Sequence, residues 1–465
     1  MQTNVDAILR ELQRRSQENW LIGYDSRAFA RLVQERLSQL QEIGCQINVK
    51  VPLKVLLCES EPLQFLAGFL GAVIERSQVF LGNPHWKSQE WQQVFQQVKP
   101  DIIWGRSGLL AENGKIDQLT SEEIAPAEAL IMIPTGGSSG KIRFAMHSWH
   151  SLTASVQGFY HYFGQRTVNS CCLLPLYHVS GLMQFLRSFL TEGRLLLYDY
   201  AAIKSGKFPQ INLSEYFISL VPTQLSFLME NYLDWLKQPS TILIGGGPVW
   251  PGLLAKARAA NLPLALTYGM TETASQVVTL KPADFLAGNN TSGQVLPHAR
   301  VSIISENQGF RNQQRIGEIM IQSTSLCHGY YPQSFPSSQF LSDDLGYFKN
   351  GYLTIVGRSS HKIVTGGENV YPGEVEATIL ATGLVKDTAV IGVGDSLWGQ
   401  AITAFIVPES VQPAIADLKA ALSEELVYYK HPKQWIALKA LPRNQQGKIN
   451  YQELQEIALR DATRY

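Results

Sequence analysis

The sequence predicts an α/β protein with two domains. Hydrophobic stretches of strand and helix length alternate as far as about residue 290, which predicts mostly parallel sheets covered by helices. Beyond that point short strands recur between turns, which predicts a small antiparallel β part. The pattern breaks at Gly357–His361, so we expect a large N-terminal domain of residues 1–357 and a small α+β C-terminal domain of residues 358–465. A chain of 465 residues is too long for a single core.

The composition is typical of a soluble globular enzyme, with 45% hydrophobic and 17% charged residues. Basic and acidic residues number 39 each, which argues against nucleic acid as the main partner. The longest apolar run, residues 65–74, is roughly half a membrane span, and we expect no signal peptide. The five cysteines show no metal-ligand spacing, and they favour a reduced, cytoplasmic compartment. They are Cys45, Cys58, Cys171, Cys172 and Cys327.

Individual elements follow from hydrophobic periodicity. In the large domain the expected helices are two within residues 1–45, one at 61–76 and one at 151–163. The expected strands there include 51–58, 79–81, 129–133, 171–174, 242–244 and 264–268. In the small domain we expect helices at 373–381 and 415–426 and strands at 387–393 and 402–407.

A glycine-rich stretch follows the strand at 129–133, which Pro134 is expected to end. Small residues let backbone N–H groups converge on one anion, and the nearby hydroxyls and cations add donors and charge. The stretch TGGSSGKIR, residues 135–143, therefore suits a polyphosphate. It is not a Walker loop, because Thr135 stands where the first glycine belongs and Ile142 follows Lys141. A surface turn with incidental cations is the alternative.

Polar and glycine residues follow several strands at the edge where open α/β sheets bind ligands. His178 lies just past one strand, although a structural role is the commoner one for a lone histidine. Glycines 245–247 would let a flat ligand approach the backbone, or form only a turn. Thr271 beside Glu272 could serve a phosphate and its Mg²⁺, or Thr271 could cap a helix. Arg187 among apolar neighbours requires an anion unless it snorkels to water.

Taken together and in order, these motifs resemble the adenylate-forming superfamily of acyl-CoA synthetases, luciferases and adenylation domains. The matching stretches are TGGSSGKIRF at 135–144, YGMTE at 268–272, DLGY at 344–347, GR at 357–358, GGENVYP at 366–372 and PRNQQGK at 442–448. Within the superfamily the chain is most similar to o-succinylbenzoate–CoA ligases of menaquinone and phylloquinone synthesis. That likeness rests on PLYHVSGL at 175–182, FLRSF at 185–189, SLVPTQL at 219–225, YGMTETAS at 268–275 and GGENVYP.

The chain departs from the superfamily pattern at two places. Ile142 and Arg143 replace the Pro and Lys of the phosphate loop, and arginine keeps the charge with a wider, planar head. Ser360 replaces the usual Asp or Lys of the hinge between the domains, which bears on how the hinge is held rather than on whether it bends.

The resemblance implies a two-step reaction that uses ATP, Mg²⁺ and CoA. A carboxylic acid attacks the α-phosphate of ATP to give an acyl-adenylate and pyrophosphate, and the CoA thiol then displaces AMP. The small domain is expected to be a mobile lid that closes for the first step and rotates about Ser360 for the second. For the ligase subgroup the acid is o-succinylbenzoate.

The resemblance also assigns residue roles. Residues expected at the β- and γ-phosphates are Thr135, Gly136, Gly137, Ser138, Ser139, Gly140 and Arg143. Residues expected around the adenosine are Gly245, Gly246, Gly247, Tyr268, Gly269, Met270, Asp344 and Arg358. Expected catalytic residues are Thr271 at the α-phosphate, Glu272 on Mg²⁺ and Lys448 between the α-phosphate and the carboxylate.

The acid and CoA are assigned in the same way. Arg187 is expected to hold the second carboxylate of o-succinylbenzoate, and the other residues expected near the acid are His178, Ser180, Ser219 and Thr223. The residues expected to leave room for the pantetheine arm of CoA are Gly366, Gly367 and Glu368.

Three other functions stay open at this stage. The enzyme could be an aryl- or fatty-acyl-CoA ligase for another acid, or it could load an activated acid onto a carrier protein. A nucleotide-binding regulator without turnover is the third, and the presence of Lys448, Glu272 and Asp344 argues against it. The sequence allows either a monomer or a homodimer.

Overall fold

The computed structural model describes residues 5–47, 52–105, 129–136, 141–304, 310–311, 314–366, 368–395, 397–409, 415–443 and 449–462. In chain order its helices are α1 (Val5–Arg15), α2 (Ser26–Ile47), α3 (Pro62–Ile74), α4 (Ser88–Gln97), α5 (Trp149–Tyr162), α6 (Val179–Leu190), α7 (Tyr200–Lys204), α8 (Pro222–Asn231), α9 (Leu233–Leu236), α10 (Pro251–Ala259), α11 (Pro282–Leu286), α12 (Pro372–Ala381), α13 (Ile415–Glu425) and α14 (Tyr451–Ala462).

The large domain contains two mixed sheets in which parallel strands dominate. The sheet here called the phosphate-loop sheet has the order β19 (Gln333–Ser334), β18 (Gly329–Tyr330), β6 (Ile142–Ser148), β5 (Leu130–Gly136), β3 (Gln78–Leu81), β2 (Lys54–Leu57), β4 (Ile102–Trp104). The strands from β5 to β4 are parallel, and β6, β18 and β19 continue the sheet antiparallel.

The second sheet, here called the acid sheet, follows the same plan. Its order is β1 (Leu21–Ile22), β8 (Leu195–Leu197), β7 (Asn169–Cys172), β9 (Tyr216–Leu220), β10 (Thr241–Ile244), β11 (Leu264–Met270), β12 (Ser275–Thr279), β13 (Gln294–Val295). The strands from β1 to β11 are parallel, and β12 and β13 are antiparallel.

Antiparallel pairing dominates the rest of the chain. One sheet has the order β14 (Ala299–Ile304), β17 (Gly317–Ser323), β20 (Gln339–Lys349), β21 (Tyr352–Arg358), and β15 (Phe310–Arg311) pairs with β16 (Gln314–Arg315). The small-domain sheet has the order β23 (Glu368–Val370), β22 (Ile363–Thr365), β25 (Gly399–Pro408), β24 (Val385–Asp395), with β26 (Gln434–Ala437) parallel to β25. The predicted α/β class with a small antiparallel part is confirmed.

Helix α3 explains the longest apolar run. Each residue from Phe65 to Ile74 is buried, because the helix packs against α2 on one side and the phosphate-loop sheet on the other. A helix that is apolar all round belongs in a core. Within the described part of the chain, no helix combines the length and apolarity that a membrane crossing requires.

The glycine-rich stretch differs from the sequence prediction. Pro134 does not end its strand; β5 continues to Gly136 and turns back into β6, which the sequence analysis missed. Pro134 lies opposite Phe144 and beyond Met132, the last residue of β5 that pairs with β3. The N–H that proline lacks is therefore not needed for the pairing with β3. Helix α5 follows at Trp149, two residues earlier than expected, with Ser148 accepting the N–H of Ser151 at 3.2 Å.

Candidate active site

The carboxyl ends of β10 and β11 bring the predicted adenine-site residues together. Gly245 follows β10, and a Cβ there would lie 2.5 Å from Oγ1 of Thr267, which itself donates to the carbonyl of Ile244 at 2.9 Å. Gly246 has φ +80°, a conformation that favours glycine. Residues 245 and 246 therefore both require glycine, and they follow the strand that pairs with β11, which carries Tyr268.

Tyr268, Asp344 and Arg358 form one hydrogen-bonded group. The Tyr268 hydroxyl donates to Oδ2 of Asp344 at 3.0 Å, and Nε of Arg358 donates to Oδ1 at 3.1 Å. Asp344 and Arg358 are cross-strand partners on β20 and β21. Burial and the Asp344 carboxylate raise the pKa of Tyr268. The tertiary structure thus unites three residues that the sequence assigned to adenosine.

Thr271 and Glu272 lie on a single 3₁₀ turn, Thr271–Thr273, directly after β11. Nε2 of His147 donates to the Thr271 carbonyl at 2.8 Å, and Ser325 donates to the Thr273 carbonyl at 2.9 Å. Thr271 is not the N-cap that the sequence analysis weighed as an alternative, because Met270 precedes the turn and Thr273 Oγ1 accepts its N–H at 3.0 Å.

Backbone strain concentrates just after this turn. Ala274 and Ser275 have φ values of +50° and +93°, which non-glycine residues rarely adopt. Ser155 donates to the Ala274 carbonyl at 2.7 Å, and Gly269 lies so close to β12 that a Cβ would come within 2.1 Å of the Ser275 carbonyl. Fixed contacts therefore hold the Thr271–Ser275 corner.

Glu272 is buried, and Oε1 accepts a hydrogen bond of 2.5 Å from the Tyr330 hydroxyl. The guanidinium carbon of Arg143 lies 4.2 Å from the centre of the Tyr330 ring. Thr135 is the cross-strand partner of Arg143, one pair before the end of the β5–β6 pairing at Gly136 and Ile142. Three residues of the predicted phosphate and magnesium site, Thr135, Arg143 and Glu272, thus come together from two strands and a 3₁₀ turn.

Arg187 is buried on α6, so it does not snorkel to water. Its Nη2 donates to Ser275 Oγ at 3.0 Å and to Gln276 Oε1 at 2.8 Å, and its guanidinium lies over the Phe159 ring at 4.2 Å. Burial lowers the pKa of Arg187 to about 9. No carboxylate forms an ion pair with it among the residues that the structure describes.

The other residues expected near the acid lie on neighbouring elements of the acid sheet. His178 is the N-cap of α6, and its ring centre is 4.6 Å from that of Tyr177. Ser180 is in the first turn of α6, where its carbonyl accepts from Gln184 at 2.9 Å. Ser219 lies on β9, and Thr223 is in the first turn of α8; both are half-buried.

In the small domain, Gly366 occupies the turn between β22 and β23 with φ +57°, and its N–H donates to the Trp398 carbonyl at 2.9 Å. Glu368 is exposed on β23. Both N–H and Oγ of Ser360 donate to the Asp343 carboxylate, the N–H at 2.9 Å. The predicted site residues outside the described part of the chain are Gly137, Ser138, Ser139, Gly140, Gly367 and Lys448.

Sequence reasoning missed Tyr330, His147 and Gln276. Each lies far along the chain from the residue it contacts, which is Glu272 for Tyr330, Thr271 for His147 and Arg187 for Gln276. No spacing rule predicts such contacts. His147 could have been noticed as a lone histidine in an apolar strand, where a neutral, hydrogen-bonded role is usual. Burial lowers the pKa of His147 to about 4, so the ring is neutral at pH 7.

Two family models match the chain. Residues 49–331 match the AMP-binding enzyme family, and residues 374–448 match the AMP-binding enzyme C-terminal domain. Among similar proteins, the 2-succinylbenzoate–CoA ligase of Enterococcus faecalis is 31% identical over 332 residues, which is 68% of this chain and 67% of that protein. The 2-succinylbenzoate–CoA ligase of Bacillus cytotoxicus is 31% identical over 441 residues, which is 90% of this chain and 84% of that protein.

Solved structures share the fold over nearly the whole chain. The o-succinylbenzoate CoA synthetase of Bacillus subtilis in complex with its acyl-adenylate intermediate superposes with a TM-score of 0.81 at 24% identity, covering 96% of this chain and 97% of that one. The same synthetase in complex with ATP and a magnesium ion gives a TM-score of 0.79 at 23% identity, and the match covers 96% of this chain and 99% of that one.

Proposed function

This chain belongs to the AMP-binding enzyme family, and from that premise we propose that it is an acid–CoA ligase for o-succinylbenzoate. It uses ATP and Mg²⁺ to form the acyl-adenylate and then transfers the acyl group to CoA, giving o-succinylbenzoyl-CoA. The observation that carries the choice of acid is the buried guanidinium of Arg187, whose hydrogen-bond partners among the described residues are neutral. The ligases it resembles act in menaquinone and phylloquinone synthesis, which is the pathway we propose.

The chemistry needs an activated acyl carbon, because a free carboxylate repels nucleophiles. Attack of a carboxylate oxygen on the α-phosphorus of ATP breaks the bond to the bridging oxygen and releases pyrophosphate. The thiol of CoA then attacks the acyl carbon, loses its proton and displaces AMP. The protein mainly positions anions and neutralises charge that develops in the transition state.

Phosphate binding is supported by the convergence of Thr135, Arg143 and Glu272. The Arg143 cation suits the β- and γ-phosphates. One carboxylate is an appropriate protein ligand for Mg²⁺, which usually keeps waters and substrate phosphates as its remaining ligands. Thr271, on the same turn as Glu272, is placed for the α-phosphate. Lys448 neutralises the α-phosphate and the attacking carboxylate together.

Adenosine binding is supported by the arrangement at the ends of β10 and β11. The glycines at 245–247 open the backbone to adenine beside Tyr268, and Gly269 and Met270 continue that edge. Asp344 has acceptor capacity for the ribose hydroxyls even while it accepts from Tyr268 and Arg358, because each carboxylate oxygen has two lone pairs.

The acid binds where α6 meets the start of β12. A buried cation without a counter-ion is costly, so a second carboxylate on the substrate compensates a charge that a simple aryl or fatty acid leaves unpaired. Arg187 holds this carboxylate directly or through water, with Ser219 and His178 nearby and Ser180 and Thr223 on the adjoining helices.

We assign residues 1–357 to ATP and acid binding and residues 358–465 to a lid that turns about Ser360. The bond between Ser360 and Asp343 is the contact that such a motion would alter. Gly366, Gly367 and Glu368 then face the pantetheine arm of CoA. The five cysteines have free thiols, which supports a cytoplasmic location.

The test is CoA-dependent AMP release with o-succinylbenzoate, benzoate and a medium-chain fatty acid. We expect a preference for o-succinylbenzoate of about two orders of magnitude or more, as when a buried polar group loses its partner in the other acids. Turnover of another acid instead would refute the substrate assignment. Transfer of the acyl group to a carrier-protein arm but not to CoA would refute the proposal that CoA is the acceptor. Absence of pyrophosphate–ATP exchange with any acid would refute the proposal that the protein is an adenylate-forming enzyme.

A further inference from the structure

In the part of the chain that the structure describes, the partners of the Arg187 guanidinium are neutral. They are the Ser275 hydroxyl at 3.0 Å, the Gln276 amide oxygen at 2.8 Å and the face of the Phe159 ring at 4.2 Å. Folded proteins usually pair a buried arginine with a carboxylate. The choice of neutral partners leaves the charge of Arg187 uncompensated until a ligand arrives.

Gln276 is the most constrained of these partners. It is 5% exposed and lies on β12 opposite Gly269, one residue from the strained corner. Its Oε1 accepts from both Arg187 Nη2 at 2.8 Å and Ser275 Oγ at 2.7 Å. Arginine can only donate, so the amide oxygen must face the guanidinium and the amide nitrogen must face away.

This arrangement leaves buried donors unsatisfied. Gln276 Nε2 and Arg187 Nε are both buried and have no hydrogen-bond partner among the described residues. A buried donor without an acceptor is destabilising, because it has lost its hydrogen bond to water. A carboxylate bound beside the guanidinium would compensate the charge of Arg187 and supply it with an acceptor.

The identity of residue 276 therefore controls the charge of the site. A glutamate has nearly the same shape as glutamine and would accept the same two hydrogen bonds, but it would also form an ion pair with Arg187. The second carboxylate of the substrate would then meet a neutral pair instead of a cation. The substrate therefore needs residue 276 both to accept from Arg187 and to stay neutral.

We propose that Gln276 is a specificity-determining residue, which holds Arg187 through a neutral oxygen so that the guanidinium stays available to the second carboxylate of the acid. This inference rests on the proposed function, because it supposes an acid with two carboxylates. It adds a residue that selects between dicarboxylate and monocarboxylate substrates.

The experiment compares o-succinylbenzoate with its two monocarboxylate analogues, 4-oxo-4-phenylbutanoate and 2-butanoylbenzoate. The analogue that the wild-type enzyme turns over better is the reference substrate. The dicarboxylate preference is the kcat/KM for o-succinylbenzoate divided by the kcat/KM for this reference. In Gln276→Glu we expect this ratio to fall by about 10- to 100-fold, the range of a charged hydrogen bond, through a higher KM for o-succinylbenzoate. The KM for ATP should stay unchanged.

Two further variants complete the test. Gln276→Leu removes the acceptor without adding charge, so it should lower the preference by less than Gln276→Glu does. Gln78→Glu makes the same chemical change at a buried glutamine of the other sheet and should keep the full preference. If Gln276→Glu fails to fold, the test rests on Gln276→Leu. A dicarboxylate preference in Gln276→Leu equal to that of the wild-type enzyme would then overturn the proposal.

The possible failures are distinguishable. A wild-type enzyme without dicarboxylate preference would overturn the proposed function, and this inference with it. A wild-type preference that survives in Gln276→Glu would overturn only the role of Gln276. Equal losses with the dicarboxylate, the monocarboxylate and ATP would also overturn it, because they indicate a general structural defect.

Discussion

The hydroxyl of Tyr330 donates a hydrogen bond of 2.5 Å to the Glu272 carboxylate. Tyr330 lies on β18, and its cross-strand partner Ala145 is two residues from Arg143 on β6. One tyrosine thus fixes the proposed magnesium ligand with its hydroxyl and contacts the proposed phosphate cation with its ring. The proposed magnesium ligand and the proposed phosphate-binding cation are thus joined through a side chain that belongs to neither motif.

Tyr330→Phe should weaken the use of Mg²⁺ while preserving the ring that Arg143 covers. Loss of a group that orients a metal ligand typically costs 10–100-fold in affinity or activity, and we expect about 10-fold. The measurement is the Mg²⁺ dependence of pyrophosphate–ATP exchange. Tyr331→Phe is the matched control, because it removes the same hydroxyl from the next residue. The Tyr331 ring packs against Phe80, with the two ring centres 5.0 Å apart. An unchanged Mg²⁺ dependence in Tyr330→Phe would contradict this role.

Arg187→Ala should raise the KM for o-succinylbenzoate far more than the KM for ATP. The charge-assisted contact is worth on the order of 10- to 100-fold, and the nucleotide residues lie on other elements. Steady-state kinetics with each substrate varied in turn measures both constants. Equal effects on the two KM values would count against a carboxylate-holding role.

Lys448→Ala should slow adenylation by about 10²–10³-fold, as for loss of an oxyanion donor, because we propose that the lysine acts mainly in the transition state. Single-turnover formation of the acyl-adenylate measures this step. The control is thioester formation from chemically prepared acyl-adenylate, which should keep most of its rate. Equal slowing of both steps would argue that Lys448 supports the lid rather than the chemistry.

His147 should make stability depend on pH. Burial lowers its pKa from 6.5 to about 4 in the folded protein, so between these values the unfolded chain binds a proton that the folded chain does not. The free energy of unfolding therefore falls as the pH falls, by about 2 kcal/mol between pH 7 and pH 5 for this one group.

His147→Gln tests that dependence, because glutamine can still donate to the Thr271 carbonyl but does not titrate. Urea unfolding at pH 7 and pH 5 should show a smaller loss of stability in the variant than in the wild-type protein. Identical losses would show that His147 is not the titrating group.

Gly158 should tolerate no side chain, although it lies within helix α5. A Cβ at this position would come within 1.8 Å of Nδ1 of His298, and that histidine is largely enclosed. Gly158→Ala should therefore destabilise the protein by about 1–3 kcal/mol. Gly44→Ala in α2 is the control, because a Cβ there meets no atom within 4 Å and alanine favours the helix. The measurement is the thermal unfolding of both variants and of the wild-type protein. A Gly158→Ala variant as stable as the wild-type protein would contradict the prediction.

The sequence alone indicated the α/β class, the family and the order of the nucleotide motifs. It did so because strand and helix periods are local properties, and because motifs such as YGMTE and GGENVYP carry their chemistry within a few residues. The β5–β6 hairpin was missed for a related reason. Pro134 normally ends a strand, and only pairing with Phe144 beyond the reach of β3 makes it acceptable here.

Only the tertiary structure decided the environment of the predicted residues. From the sequence, Arg187 could either pair with an anion or reach water; in the structure Ser275 and Gln276, which are 88 and 89 residues away, contact it with neutral groups. His147 reaches Thr271 across 124 residues in the same way. The free energy of a buried charge depends on what surrounds it in space, and periodicity along the chain carries no record of those distant neighbours.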